Sequence, residues 1–186
     1  EAERLTRVVR LHRGLVRAAL AEGHVEIVRD EEQGTIAGAS LFFAPGPSRG
    51  GWRAFAWMAV GALGVGARGT FRYWLYDRHV GPLHPAEPHY YLFVLGVEPA
   101  FQGRGVGSAL LRTFCERADR AGVAAYLETD KASSVKLYER HGFVVKDDFE
   151  IASLGGLRTW TMLRPRAAGG GAKVGGESSA RSGGPE

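Results

Sequence analysis

The chain has 186 residues, is 45% hydrophobic and carries a formal net charge of +4. That is the length of one domain with enough apolar material for a core. A lone Cys115 leaves no internal disulfide, and no secretory pattern opens the chain, so a reducing, cytoplasmic setting is expected.

In chain order, Arg4 to Leu20 reads as an amphipathic helix ended by Gly23. Its arginines Arg4, Arg7, Arg10, Arg13 and Arg17 recur at helical spacing opposite Leu5, Val8, Leu11, Leu15 and Val16. A solvated helix face accounts for them, and no aromatic side chains alternate with them to stack bases, which argues against nucleic acid as a partner. His24 to Arg29 and Thr35 to Phe43 flank "DEEQG" as a hairpin. "APGPSRGG" breaks the pattern, and 52–80 reads as two helical pieces separated near Gly66 and Gly69. Within it, Ala54 to Ala67 is too short for a bilayer span, is interrupted by glycines and is flanked by Arg53 and Arg68, so no membrane partner is expected. "VGPLHPAEPHY" contains three prolines and resists regular structure.

Tyr90 to Val97 reads as a continuous apolar strand, buried on both faces and stopped by Pro99. Val106 to Ala121 is a helix closed by Gly122, Val123 to Thr129 a strand, and Ser133 to His141 a helix closed by Gly142. Phe143 to Ile151 and Leu157 to Leu163 form a last hairpin. Residues 165–186 are Gly/Ser-rich with almost no apolar side chains and are expected to be a disordered tail. The rest, 1–164, is one domain.

Between the apolar strand and the helix at 106 lies "GVEPAFQGRGVGSALL". A glycine-rich loop at that junction aims its backbone N–H groups and the helix N-terminus at one spot, which is an anion site. A nucleotide P-loop needs Lys after the last glycine, and none follows Gly107. A dinucleotide fingerprint begun at Gly103 and Gly105 needs Gly or Ala at 108, where Ser108 stands. What remains is Gln102-Gly103-Arg104-Gly105-Val106-Gly107, a Q-x-x-G-x-G pattern; a plain turn has no need of three alternating glycines.

At these residues the chain resembles the GNAT superfamily of acyl-CoA-dependent N-acetyltransferases, over roughly residues 24–164. "AYLETDKASSVKLYERHGFVV" is similar to that family's strand and following helix ending in Y-x-x-x-GF. With "HYYLFVLGVEPAFQGRGVGSALL" and "GLRTWTML" it looks most like the branch containing puromycin N-acetyltransferase. The resemblance implies an α/β fold, a mixed, twisted central sheet with helices on both faces, splayed where 90–97 parts from 123–129. It also implies that the family's first strand and first helix precede the start of this chain.

By the same resemblance, the acyl donor acetyl-CoA is held by Leu95, Val97, Gln102, Gly103, Arg104, Gly105, Val106, Gly107, Ser108, Ser134 and Tyr138, with coenzyme A's pyrophosphate on the glycines and its pantetheine arm in the splay. Ser134 stands where close relatives usually carry Asn. The chemistry implied is attack of an uncharged amine of a small molecule or peptide on the thioester carbonyl. Three residues are candidates to serve it. Val97 would give an oxyanion-binding N–H through a bulge at "LGV". Tyr138 would protonate the leaving thiolate, and Glu128 would act as a base through water. His79, His84 and His89 are alternative bases. Cys115 lies among apolar helix residues and reads as core, and no metal-ligand spacing emerges. A non-catalytic acyl-CoA-binding or interaction domain and a toxin-type acetyltransferase acting on aminoacyl-tRNA stay open, as does monomer or homodimer.

Overall fold

The computed structural model describes residues 2–46 and 52–167, and the expected tail lies almost wholly outside them. Helix α1 (Ala2–Glu22) leads through Gly23 into the hairpin β1 (His24–Arg29) and β2 (Ile36–Phe43). The hairpin turn closes on Asp30, whose carbonyl accepts the Gly34 N–H at 2.9 Å and whose Oδ1 accepts the Gln33 N–H at 2.8 Å. Helix α2 (Trp52–Val80) is broken at Gly66, whose φ of 76° and ψ of 168° interrupt the helical path, so the two-piece expectation holds. A short 3-10 turn, Gly81–Leu83, precedes β3 (His89–Val97). The order then runs α3 (Val106–Ala121), β4 (Ala124–Thr129), α4 (Ala132–Glu139), β5 (Val144–Ile151) and β6 (Leu157–Arg164).

Six strands form one sheet in the order β1-β2-β3-β4-β6-β5, antiparallel except for β3 beside β4. The two-residue period of a strand sends alternate side chains to opposite faces. Phe42, Leu92 and Leu127 pack with Leu111 and Phe114 of α3 and Tyr138 of α4 on one face. Leu41 packs with Leu15 and Ala19 of α1, and Phe43 with Ala18, on the other. Helix α1 is itself packed against α2.

Two details of β3 differ from the sequence reading. The register break lies at Phe93, not at Leu95–Val97: Leu41 pairs with Val94 and Phe42 with Leu92, while Leu95, Gly96 and Val97 pair regularly with Ser40, Ala39 and Gly38. Phe93 is the extra residue of the bulge, so both Phe93 and Val94 reach the α1 side. The strand is also not buried on both faces, since only Leu92 is fully enclosed. The reason is the splay. Pairing with β4 covers His89–Leu92 against Ala124–Leu127 and stops. Beyond it β3 pairs only with β2, and β4 only with β6.

Gly38 on β2 sits beneath the first turn of α3. A Cβ there would lie 2.7 Å from Val106 Cγ1 and 3.0 Å from the Gly96 carbonyl oxygen, whereas one at Gly96 would meet nothing within 4 Å. Gly38→Ala is therefore expected to destabilise by about 1–3 kcal/mol through overpacking, and Gly96→Ala to leave stability near the parent's. Equal melting temperatures for the two variants would remove this account of Gly38.

Candidate active site

The cradle is built from the loop between β3 and α3. Gly103 (φ +76°) and Gly105 (φ +82°) both hold the left-handed conformation that side chains resist, and a Cβ on either would meet nothing within 4 Å. The backbone is therefore bent for the loop's own path while the space above it stays open. Gly105 caps α3, and its carbonyl accepts the Ala109 N–H at 2.9 Å, the first bond of the helix. The N–H groups of Val106, Gly107 and Ser108 precede that bond, so they stand at the positive end of the helix without intrahelical partners.

The remaining cradle residues support the loop. Gln102 turns back, its Nε2 donating to the Val97 carbonyl at 3.1 Å, which ties the loop to the end of β3. Arg104 is exposed, with its guanidinium over the Phe101 ring at 5.4 Å. Val97 and Leu137 make ordinary contact with the Gly107 position, which seats the start of α3 between β3 and α4.

On the α1/α2 side the splay opens into a cleft of about 530 Å³. Val94 and Leu95 of β3, Glu128 and Thr129 of β4, and Ser134 and Tyr138 of α4 form its floor and one wall. Tyr73, Tyr76 and Asp77 of α2 form the other. The structure thus brings Leu95, Glu128, Ser134 and Tyr138 together on one cavity, with Val97 and the glycine cradle following along β3.

Tyr138 is buried and packs against Phe143, and burial, helped by the charge of Asp130, pushes its hydroxyl up to about 12. It is a protonated phenol throughout the neutral range. Tyr76 is pushed up by burial and by Glu128 and Asp130, and Tyr91 rises well above the ordinary tyrosine value through burial and its bond to Glu128. The Cys115 thiol, buried against α3's neighbours, is pushed up to about 11 by burial and is core as expected.

The Glu128 carboxylate is only 4% exposed. Oε2 accepts the Tyr91 hydroxyl at 2.8 Å, and Oε1 lies 2.8 Å from His84 Nε2, a close contact that is off the line of a good hydrogen bond. His84 Nδ1 is 3.3 Å from His89 Nε2. His79 does not join them: it is exposed on α2, with its Nδ1 2.7 Å from the Leu75 carbonyl. Sequence reasoning did not see Tyr91 as part of the site, nor His84 as joined to Glu128. Only the alternation of β3 and β4, which puts Tyr91 and Glu128 on the same sheet face, could have signalled the pairing.

Among the described residues no cluster of three or more His, Cys, Asp or Glu is placed to hold a metal ion, and no helix is long and apolar enough to cross a membrane.

Comparison with known proteins gives the same architecture. The model of the acetyltransferase (GNAT) family matches residues 16–143. An N-alpha-acetyltransferase RimI from Mycobacterium tuberculosis is 42% identical over 83 residues, 42% of this chain and 50% of the relative. A mycothiol acetyltransferase from Geodermatophilus obscurus is 32% identical over 126 residues, 61% of this chain and 41% of the relative. The chain therefore spans half or less of the length of these relatives. A crystal structure described as histone acetyltransferase HPA2 and related acetyltransferase, from Corynebacterium glutamicum, superimposes with a TM-score of 0.59 at 26% identity, covering 87% of this chain and 75% of that one.

Proposed function

The chain belongs to the acetyltransferase (GNAT) family, and on that premise we propose that it moves an acetyl group from acetyl-CoA to a primary amine of a small molecule or peptide by direct attack, with both substrates bound at once. The observation that carries this reading is the meeting of a protonated Tyr138 and a buried Glu128 carboxylate on one cleft at the strand splay. A domain that merely held the acyl donor has no use for an acid and a base facing one cavity.

The chain fits the donor. The open space above Gly103 and Gly105 and the partnerless N–H groups of Val106, Gly107 and Ser108 suit a pyrophosphate, and Arg104 is free to swing its charge onto it. Val97, Leu95, Gln102, Ser134 and Tyr138 would hold the arm that leads into the splay. When bound, the donor supplies an activated thioester carbonyl.

The chain's own residues then divide the work. Glu128, through water, takes the proton that keeps the acceptor's ammonium from attacking. The backbone N–H of Val97 is the proposed donor to the carbonyl oxygen; it would be free because β3 has left β4, not because of a local bulge. Tyr138 gives its proton to the departing sulfur. Asp77, Glu128 and Asp130 border the cleft with Arg72 and Lys131, beside Tyr73 and Tyr76, so a small excess of negative charge and the ring faces favour a cationic amine.

The relatives' names, an N-alpha-acetyltransferase and mycothiol acetyltransferases, point to different acceptors. The test is acetyl-CoA-dependent thiol release with peptide N-termini, lysine peptides, small amines and an aminonucleoside. We expect turnover with at least one of these acceptors and none when its amine is blocked. Release that ignores every amine would leave a donor-binding domain in its place.

A further inference from the structure

We infer that His84 and His89 form a two-imidazole relay that carries the proton accepted by Glu128 out of the acetyl-transfer cleft to solvent on the far side of the 84–89 loop. The inference rests on the proposed amine acetylation, whose balance requires such an exit. An acceptor ammonium carries three protons on nitrogen. One stays on the amide, one reaches the sulfur from Tyr138, which is reloaded from the attacking nitrogen, and one must leave through the base. Glu128 is 4% exposed and opens on the cleft that the acceptor and donor fill, so an exit that does not pass through the occupied cleft must run through the side chains behind it.

The contacts supply a route. Glu128 Oε1 touches His84 Nε2 at 2.8 Å, His84 Nδ1 faces His89 Nε2 at 3.3 Å, and His89 Nδ1 lies 2.8 Å from the Glu87 carbonyl at an exposed position. His84 and His89 both border a second cleft of about 650 Å³, lined also by Phe43, Pro85 and Pro88. The two prolines fix φ at two of the four residues between the histidines, which holds the rings in register. The other groups facing the chain are Tyr91 and Tyr126 from the sheet, with rings 4.6 and 4.3 Å from that of His84, and Tyr76 and Asp77 across the cleft from α2.

Counting hydrogens shows what this chain of contacts can do. The Glu87 carbonyl only accepts, so His89 Nδ1 must carry hydrogen, and one hydrogen must sit between the two rings. The remaining contact, His84 Nε2 with Glu128 Oε1, is close but off the line of a hydrogen bond; a turn of the His84 ring that aligns it places one proton there, on either the carboxyl or the imidazole. Glu128 protonated beside two neutral rings, and Glu128 ionised beside a singly charged pair, differ only by the transfer of that proton across 2.8 Å. Passing the inter-ring hydrogen to His89 and releasing the Nδ1 hydrogen to water completes the exit, with no bond changed except N–H and O–H.

The first test needs no substrate. Nitrogen-15 spectra of histidine-labelled protein at neutral pH count the hydrogens on the two rings, and we expect His84 and His89 both to respond to Glu128→Gln, and His84 to respond to His89→Gln. Spectra of His84 that ignore both substitutions would overturn the shared proton. The second uses the acceptor identified by the amine screen. His84→Ala should lower turnover roughly 10-fold or more, below the 10²- to 10⁴-fold of a base itself. Imidazole in solution should restore it, and His89→Gln should make the rate depend on buffer concentration where the parent's does not. Wild-type rates in both variants, or a loss that imidazole does not rescue, would overturn the relay while leaving acetyl transfer intact. Coupled histidines in a protein that acetylates no amine would instead overturn the proposed reaction, and the relay's catalytic purpose with it.

Discussion

A Gly105→Asp protein is expected to lose coenzyme A binding while keeping its fold. A Cβ at this position meets nothing within 4 Å beyond the adjoining residues, so the side chain starts out into open space. The backbone cost is that of a non-glycine residue at φ +82°, about 1–2 kcal/mol, which a domain of this size survives as a lowered melting temperature. The ligand cost is larger. A carboxylate would stand at the helix N-terminus where the pyrophosphate is to sit, and opposed like charges cost several kcal/mol. At 1.4 kcal/mol per tenfold, affinity should fall by roughly 10²-fold or more. Gly105→Ala separates the two contributions, since it carries the strain without the charge. Calorimetry that finds the parent's affinity in the Asp variant would place the donor elsewhere.

Tyr138→Phe is expected to leave donor binding near the parent's and to slow the chemical step by roughly 10²-fold, the low end of the range for a positioned acid. The magnitude follows from the proton's energetics. Burial holds the phenol at about 12, while an alkyl thiol titrates at about 8.5, so the transfer to sulfur runs uphill until the attacking nitrogen reloads the phenol, which puts the hydroxyl's contribution at the low end. The same value fixes the sign of the pH response. The acid form persists across the neutral range and is lost only as pH rises towards 12, so any limb of the rate profile near neutrality belongs to another group and should remain in the Phe variant. The ring's packing on Phe143 is retained, so single-turnover rates and melting temperatures measured on one preparation distinguish catalysis from packing. A parent-like rate would end the assignment.

Helices α3 and α4 were legible in the sequence because each couples an apolar period to a glycine stop, and Gly122 and Gly142 both adopt the left-handed conformation that such stops require. The cradle was legible for the same local reason. The bulge was not. Gly96 is the usual cue for one, but the extra residue is Phe93, whose ring lies tilted against those of Phe43 and Tyr91, with centroids 5.9 and 5.7 Å away. That choice is made by a neighbouring strand and a helix packed on it, which no window of β3 contains. The Glu128–His84 contact was hidden for a related reason: it joins a strand end to an irregular loop far away in the chain.

Among the described residues, the β3–β4 ladder, four residue pairs long, is the only strand pairing that joins β1-β2-β3 to β4-β6-β5. Each three-stranded half is antiparallel, and beyond that ladder the two are joined by the core that α3 packs onto Phe42, Leu92 and Leu127. A donor lying along the gap would touch both units at the place where backbone hydrogen bonding has ended. Its binding energy would then also be spent on holding the halves together, which couples occupancy of the site to the mechanical continuity of the sheet.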